Sequence, residues 1–317
     1  MLSAAQHEAV TSEAARPLQI LAGPGSGKTR VLTSRVAHLV RDSAAPIAPE
    51  RCVVVTFTNR AANEMRARLE TMIGADRTRR LVLGTFHAVC VRFLRRWGTR
   101  LGLDPRFTIA DTDDARRLLR DVDRDAPVDA TLAAISRAKA HGWTPDELRA
   151  SGQHAPGSPA HTEHLALCRT YAAYQQQLRT SHALDFDDLL LLGVRLFREH
   201  PELTAHIDHV LVDEFQDTNA VQYELLRRLS RHVSVVGDPD QSIYSWRHAD
   251  VRHIERMHLD FPGLHRVLLE ENYRSTPQIL EAALRVMQQD PHRIPKGLYT
   301  ACLLYTSDAA DDSLRVD

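Results

Sequence analysis

Six short runs dominated by apolar and β-branched residues set the strongest limit on what this chain can fold into. They are "LQILAG" (18–23), "CVVVTF" (52–57), "LVLGTF" (81–86), "HVLVDE" (209–214), "VSVVGD" (233–238) and "HRVLLE" (265–270). None alternates cleanly between apolar and polar residues, so each reads as a strand covered on both faces. A helical pattern follows each run. Parallel strands need a crossover to return to the same end of a sheet, and a helix is the usual crossover. The alternation therefore predicts a doubly wound α/β domain around a parallel sheet. One interval breaks the rhythm: 99–184 has no comparable strand run. It carries amphipathic stretches such as "DTDDARRLLRDV", with Asp111 or Thr112 as N-cap, and a Gly/Pro/Ser loop, "SGQHAPGSPA" (151–160). The expected organisation is an α/β domain in two pieces, 1–98 and 185–270, interrupted by an all-α insertion at 99–184.

Composition narrows the class without naming a function. The 317 residues are 43% hydrophobic and 26% charged, enough apolar content for a sizeable core. Formal net charge is −1, so any basic surface for nucleic acid must be local. Cys52, Cys90, Cys168 and Cys302 are scattered, with no C-x-x-C pair, which argues against a zinc site or a disulfide framework. Met1 leads into Gln6, His7 and Glu8 rather than an apolar signal core. The longest apolar stretch, Leu189 to Phe197, carries Arg195 and is too short to cross a bilayer. The expected location is the cytoplasm, away from membranes.

The end of the first strand carries the first chemistry. "AGPGSGKT" holds Ala22, Gly23, Pro24, Gly25, Ser26, Gly27, Lys28 and Thr29 between a strand and a helix. A glycine-rich turn can aim its amides at phosphate oxygens, and the helix behind it presents its positive end to the same anion. Lys28 reaches terminal phosphates and the Thr29 hydroxyl takes Mg2+. The strict pattern has Gly where Ala22 stands. A second metal ligand follows in "HVLVDEFQD": Asp213 for Mg2+ and Glu214 to polarise an attacking water. Lys28, Thr29, Asp213 and Glu214 together predict NTP hydrolysis with Mg2+, not yet its purpose.

Other residues gather at the same sheet edge, where ligands of open α/β sheets bind. Gln6 precedes the first strand, and its amide can pair with an adenine edge. Phe57 and Phe86 follow the second and third strands; Phe86 is as well placed for the core as for contact. "VVGDPDQSIYSWRHAD" (235–250) places Gln241, Tyr244, Trp246 and Arg247 just past a core strand. An amide, two aromatics and a guanidinium so close behind a core strand form a mixture that core packing does not explain.

The ordered set "AGPGSGKT", "TFTNRAANEM", "GTFHAVC", "LDFDDLL", "LVDEFQDTN", "VVGDPDQSIYSWRHA" and "NYRS" resembles the UvrD/Rep/PcrA-like superfamily 1 DNA helicases, from about Leu2 to Thr300. Phe215 stands where many members have Tyr, and His248 where Gly is usual. The resemblance implies a RecA-like P-loop domain with a helical insertion, and ATP held between two such domains. Lys28, Glu214, Gln241 and Arg274 are then catalytic, with Thr29 and Asp213 on Mg2+. Gln6, Arg30, Tyr273 and Arg274 are nucleotide contacts, Tyr273 stacking on adenine and Arg274 meeting the γ-phosphate. Phe57, His87, Tyr244, Trp246 and Arg247 are single-strand contacts. The implied activity is ATP-dependent 3′ to 5′ translocation on single-stranded DNA and at single-strand/double-strand junctions, in repair or replication.

The resemblance also implies that 271–301 begins a second RecA-like domain and that the chain is an N-terminal part, expected to bind nucleotide and single strands with little turnover alone. The tail "CLLYTSDAADDSLRVD" (302–317) resembles a translated sequencing adapter, the alternative being an acidic terminus. Three other readings remain: a helicase subunit of a helicase-nuclease complex, a non-hydrolysing binding module, and a P-loop ATPase unrelated to nucleic acid.

Overall fold

The computed structural model describes residues 2–152, 157–243, 249–289 and 293–303. The expectations for Tyr244, Trp246, Arg247 and His248, and for the tail from 304 onward, lie outside the described residues. Among the described residues there are eight strands: β1 (Leu18–Ala22), β2 (Cys52–Thr56), β3 (Val82–Thr85), β4 (Thr108–Ile109), β5 (Ala183–Leu184), β6 (His209–Val212), β7 (Val233–Gly237) and β8 (His265–Leu269). The chain divides into two compact units.

The first unit contains the residues up to Thr85, His206–Thr218 and those from Ser230 on. Its sheet has six strands in the order β3-β2-β6-β7-β1-β8, all neighbours parallel. Each expected strand run is found. The four inner strands are buried throughout, whereas β8 and β3 are partly exposed. Those two are the edges, where one flank of the strand has no neighbour to cover it. The core joins Leu18 and Ile20 of β1 to Val54 of β2, Leu211 of β6 and Val236 of β7, covered by Val31, Leu32 and Val36 and by Met65 and Leu69.

Two large polar side chains in this core are held by several hydrogen bonds each, as burial favours. Gln19 on β1 is fully buried; its Nε2 donates to the Ile254 carbonyl at 2.7 Å and its Oε1 accepts from Arg266 Nε at 2.7 Å. Arg35 is also fully buried. It donates to the carbonyls of Ala9, Val10 and Ser12 and to Ser234 Oγ, tying the end of the N-terminal helix to β7. Burial pulls its guanidinium down to about 10.

The second unit, Phe86–Ala205 with Asn219–Leu229, is helical apart from the pair β4 and β5. It takes in more than 99–184, because the helices flanking that interval share its packing. Phe93 of the helix Phe86–Trp97 meets Phe197 of the helix Phe186–Glu199 edge to face, with centroids 4.9 Å apart. Strand runs are visible as local patterns; which helices share a core is not. Asp111 caps the helix Thr112–Val122 with a reciprocal bond from Asp114, as the sequence suggested, and Thr144 and Glu147 do the same for Pro145–Ser151. Leu119, Ile135, Cys168, Tyr171, Tyr174 and Leu178 form the core. Within it Lys139 Nζ meets Asp185 at 2.6 Å and Asp188 at 2.8 Å, and the Tyr174 hydroxyl donates to Asp185 at 3.1 Å. Burial pulls the ammonium down, but Asp188 and Asp185 more than offset it and raise it overall. Two carboxylates share one cation, so burial and the Asp185 charge hold Asp188 up.

Candidate functional site

The phosphate loop grows out of β1. Ala22 is the last strand residue and is fully buried, paired with Leu269 of β8. A methyl group fits there, which explains why Ala serves in place of Gly. Gly23 N donates to the Leu269 carbonyl at 3.0 Å, and the chain then turns through Pro24 to Gly27. Gly25 and Gly27 sit at φ +64° and +82°, which L side chains adopt only at a cost. Ser26 Oγ donates back to the Gly23 carbonyl at 2.7 Å. The helix Lys28–Ala37 starts directly after Gly27, so its first amides face the loop. Arg30 is exposed on its first turn.

Gln6 takes a place that the sequence did not suggest. It is 3% exposed, its Nε2 donates to the Ser26 carbonyl at 2.9 Å, and its Oε1 accepts from Ser3 N at 3.1 Å. The Nε2 end braces the loop, and the Oε1 end closes the capping box of the helix Ala4–Thr11.

The acidic pair stands at the end of β6. Asp213 N donates to the Val55 carbonyl of β2 at 2.9 Å, which fixes the residue at the sheet edge. Thr29 Oγ1 lies 3.5 Å from Asp213 Oδ2. Burial raises the Asp213 carboxyl to about 7, with the Glu214 charge adding to the rise and Lys28 opposing it. Glu214 is one of two non-glycine residues at positive φ among the described residues, at φ 49°. That conformation costs about 1–2 kcal/mol. Glu214 Oε2 accepts from Gln216 Nε2 at 2.9 Å. Asp217 is likewise raised to about 7, by burial first and Glu214 second. A hydroxyl and a carboxylate converging beside further acids are hard oxygen donors, and Mg2+ is commonly held by one or two such groups with waters and phosphate oxygens. The residues present fit that ion.

β7 delivers the third part. Lys28 Nζ donates to Gln241 Oε1 at 3.1 Å, and Gln241 Nε2 donates to Asp238 Oδ2 at 2.6 Å. Asp238 N donates to Gln216 Oε1 at 3.0 Å, linking this turn to the acidic motif. Lys28, Thr29, Asp213, Glu214 and Gln241 are therefore gathered at the carboxyl ends of β1, β6 and β7.

The segment from 271 onward folds onto the same loop. Asn272 Nδ2 donates to the Pro24 carbonyl at 2.7 Å, and Tyr273 N donates to the Gly25 carbonyl at 3.0 Å. Asn272 Oδ1 accepts from the amides of Arg274 and Ser275, closing a turn that sets Arg274 against Gly25. The Tyr273 side chain is 44% exposed, with its hydroxyl bonded to Glu271. Asn272 is a further site residue that stands in the quoted "NYRS"; Asn bonding its own following amides is a known turn signal. A Cβ on Gly25 would lie 2.8 Å from Arg274 Cβ and 3.0 Å from Asn272 Nδ2, besides adopting a left-handed conformation. Gly25→Ala is expected to cost about 1–2 kcal/mol of stability in urea unfolding and to loosen this contact, as read by faster amide exchange at Asn272 and Tyr273.

Of the expected single-strand contacts within the described residues, Phe57 follows β2 in the first unit and is half-buried. His87 lies on the helix Phe86–Trp97 in the second unit, and burial lowers its pKa. Phe86 is 3% exposed and packs in the core. Phe186 was not singled out. It is 50% exposed and meets His87 edge to face at 5.8 Å. An aromatic opening a helix behind an acidic cap, in "LDFDDLL", was the available signal.

Comparison with known proteins places these features in a family context. The family model of the UvrD/REP helicase N-terminal domain matches residues 2–262. The chain is 42% identical over 298 residues to the ATP-dependent DNA helicase PcrA of Leuconostoc citreum, covering 90% of this chain and 39% of that protein. It is 40% identical over 315 residues to the ATP-dependent DNA helicase PcrA of Staphylococcus epidermidis, covering 95% and 42%. Against that of Staphylococcus aureus it is 40% identical over 311 residues, covering 93% and 41%. The chain spans about two fifths of the length of the curated relatives it matches.

Proposed function

This chain belongs to the UvrD/REP helicase family, and on that premise we propose that it carries the phosphate-binding half of an ATP-driven DNA helicase acting on single-stranded DNA. The observation that carries this reading is the convergence of Lys28, Thr29, Asp213 and Gln241 from three strand ends around one glycine-rich loop. Lys28 and the loop amides hold the β- and γ-phosphates. Thr29 and Asp213 hold Mg2+, which when bound neutralises phosphate charge. Glu214 accepts a proton from the attacking water, and Gln241 presents its Oε1 beside Lys28. Arg274, set against the loop by Asn272, faces the terminal phosphate, and Tyr273 offers an exposed ring for the base. Arg30 adds a charge on the first turn of the helix.

The two units correspond to a RecA-like domain and its helical insertion, with 271–301 opening a second such domain. In the first unit Phe57, Tyr244, Trp246 and Arg247 are single-strand contacts, and in the second unit His87 is one. Sequence-independent stacking suits a motor that works at single-strand/double-strand junctions in cytoplasmic repair or replication. Translocation runs 3′ to 5′, the polarity of the family it resembles. Among the described residues no helix is long and apolar enough to cross a membrane.

The test is binding of a fluorescent oligothymidylate followed by anisotropy, with and without Mg-ATP. The chain is expected to bind, to weaken steeply as salt rises, and to lose about five- to a hundredfold in affinity on Trp246→Ala. Unchanged single-strand affinity in Trp246→Ala would reject this placement of the DNA.

A further inference from the structure

Lys296 sits well outside the motifs that mark the nucleotide site, yet its ammonium is completely buried against one of them. Its side chain is 0% exposed and bonds Asp238 Oδ1, with Asp238 also 0% exposed. It reaches Asp240 Oδ2 at 3.1 Å, and Arg293 Nε bonds the same oxygen at 3.0 Å. Two cations from the 293–296 stretch thus neutralise two anions on the turn after β7. Buried charges are tolerated when paired in this way.

The remaining oxygen of Asp238 decides what Gln241 can do. An ionised carboxylate only accepts hydrogen bonds, so the Gln241 group facing it must be the amide NH2. That leaves Oε1 as the face turned toward Lys28 Nζ, as observed at 3.1 Å. The reverse orientation would set an NH2 against an ammonium and leave a carbonyl against a carboxylate. Asp238 also accepts from Asp240 N at 3.2 Å, which holds the turn itself.

The geometry points to Lys296 as a positioning residue for the nucleotide site: by pinning the Asp238 carboxylate in place, it locks the Gln241 amide in the orientation that presents an acceptor to Lys28. The path runs Lys296 to Asp238 to Gln241 to Lys28. It rests on the reading of Lys28 and Gln241 as nucleotide-site residues. It also gives the segment beyond 271 a second hold on the site, separate from the Asn272 turn.

The test is a double-mutant cycle on the 317-residue chain, with Mg-ATP affinity read by calorimetry. Gln241→Ala and Lys296→Met are each expected to weaken ATP by about tenfold, the scale of one charge-assisted hydrogen bond. Lys296→Met in the Gln241→Ala background is expected to add less than about twofold, because the group it positions is gone. Lys296→Met/Asp238→Asn removes both buried charges and guards against misfolding. It is expected to keep a cooperative melt yet show the same weakening, since an asparagine no longer dictates which way Gln241 turns. Additive losses in the cycle, or normal ATP affinity in either Lys296 variant, would overturn the inference alone. Absence of ATP binding by the unsubstituted chain would overturn the nucleotide reading and the inference with it.

Discussion

Lys28→Ala is expected to weaken Mg-ATP binding by about ten- to a hundredfold while leaving thermal stability and single-strand affinity nearly unchanged. A hydrogen bond to a charged group contributes about 1.5–3 kcal/mol, and here the partner is a multiply charged phosphate. The stability side of the prediction follows from placement. Lys28 is partly exposed and its ammonium bonds the Gln241 side chain, not a buried backbone group. The loop is held by other means: Gln6 on the Ser26 carbonyl, Ser26 on the Gly23 carbonyl, and Asn272 on the Pro24 carbonyl. Removing the lysine side chain therefore leaves the cradle standing and takes away its charge. Calorimetry with Mg-ATP and anisotropy with an oligothymidylate check the two halves separately. Normal ATP affinity in Lys28→Ala would reject the phosphate assignment, and a parallel loss of DNA binding would show that the substitution acts through the fold.

Lys139→Met is expected to be the most damaging single change in the helical unit, at about 3–5 kcal/mol, because it strands two buried carboxylates without their cation. With a unit of this size the melting temperature should fall on the order of 10 °C. The ammonium has no exposed surface, and Tyr171 and Tyr174 lie within cation–π reach at 5.8 and 5.4 Å from it. Neutralising the partners as well, in Lys139→Met/Asp185→Asn/Asp188→Asn, should recover much of the loss, although Asp185 also caps the helix Phe186–Glu199. Differential scanning calorimetry of both variants decides the matter. A triple variant as unstable as the single one would mean that packing around the lysine stem, not the stranded charge, carries the effect.

The motifs that were legible along the chain share a property. Each is a contiguous stretch whose conformation is set by its own residues. "AGPGSGKT" needs positive φ at Gly25 and Gly27 and a helix start at Lys28, and all three are local. "LVDEFQD" is a buried strand followed by polar groups that cannot stay in the core. Gln6 carries no local sign that its amide reaches Ser26, 20 residues on. Phe86 and Phe57 follow strands in the same way along the chain, yet one is core and the other half-exposed. Nothing in their own neighbourhoods distinguishes them.

Six strands, their parallel pairing, the glycine-rich turn, the acidic pair and the helix caps are legible along the chain, because periodicity, backbone preference and capping act over a few residues. Which strands form the exposed edges, which helices join the second core, and which cations neutralise which buried acids depend on contacts between elements distant along the chain. Lys296 is 58 residues from Asp238, and Lys139 is 46 from Asp185. A buried charge finds its partner through the packing of whole elements, and a lysine with no exposed surface looks in sequence like any other lysine.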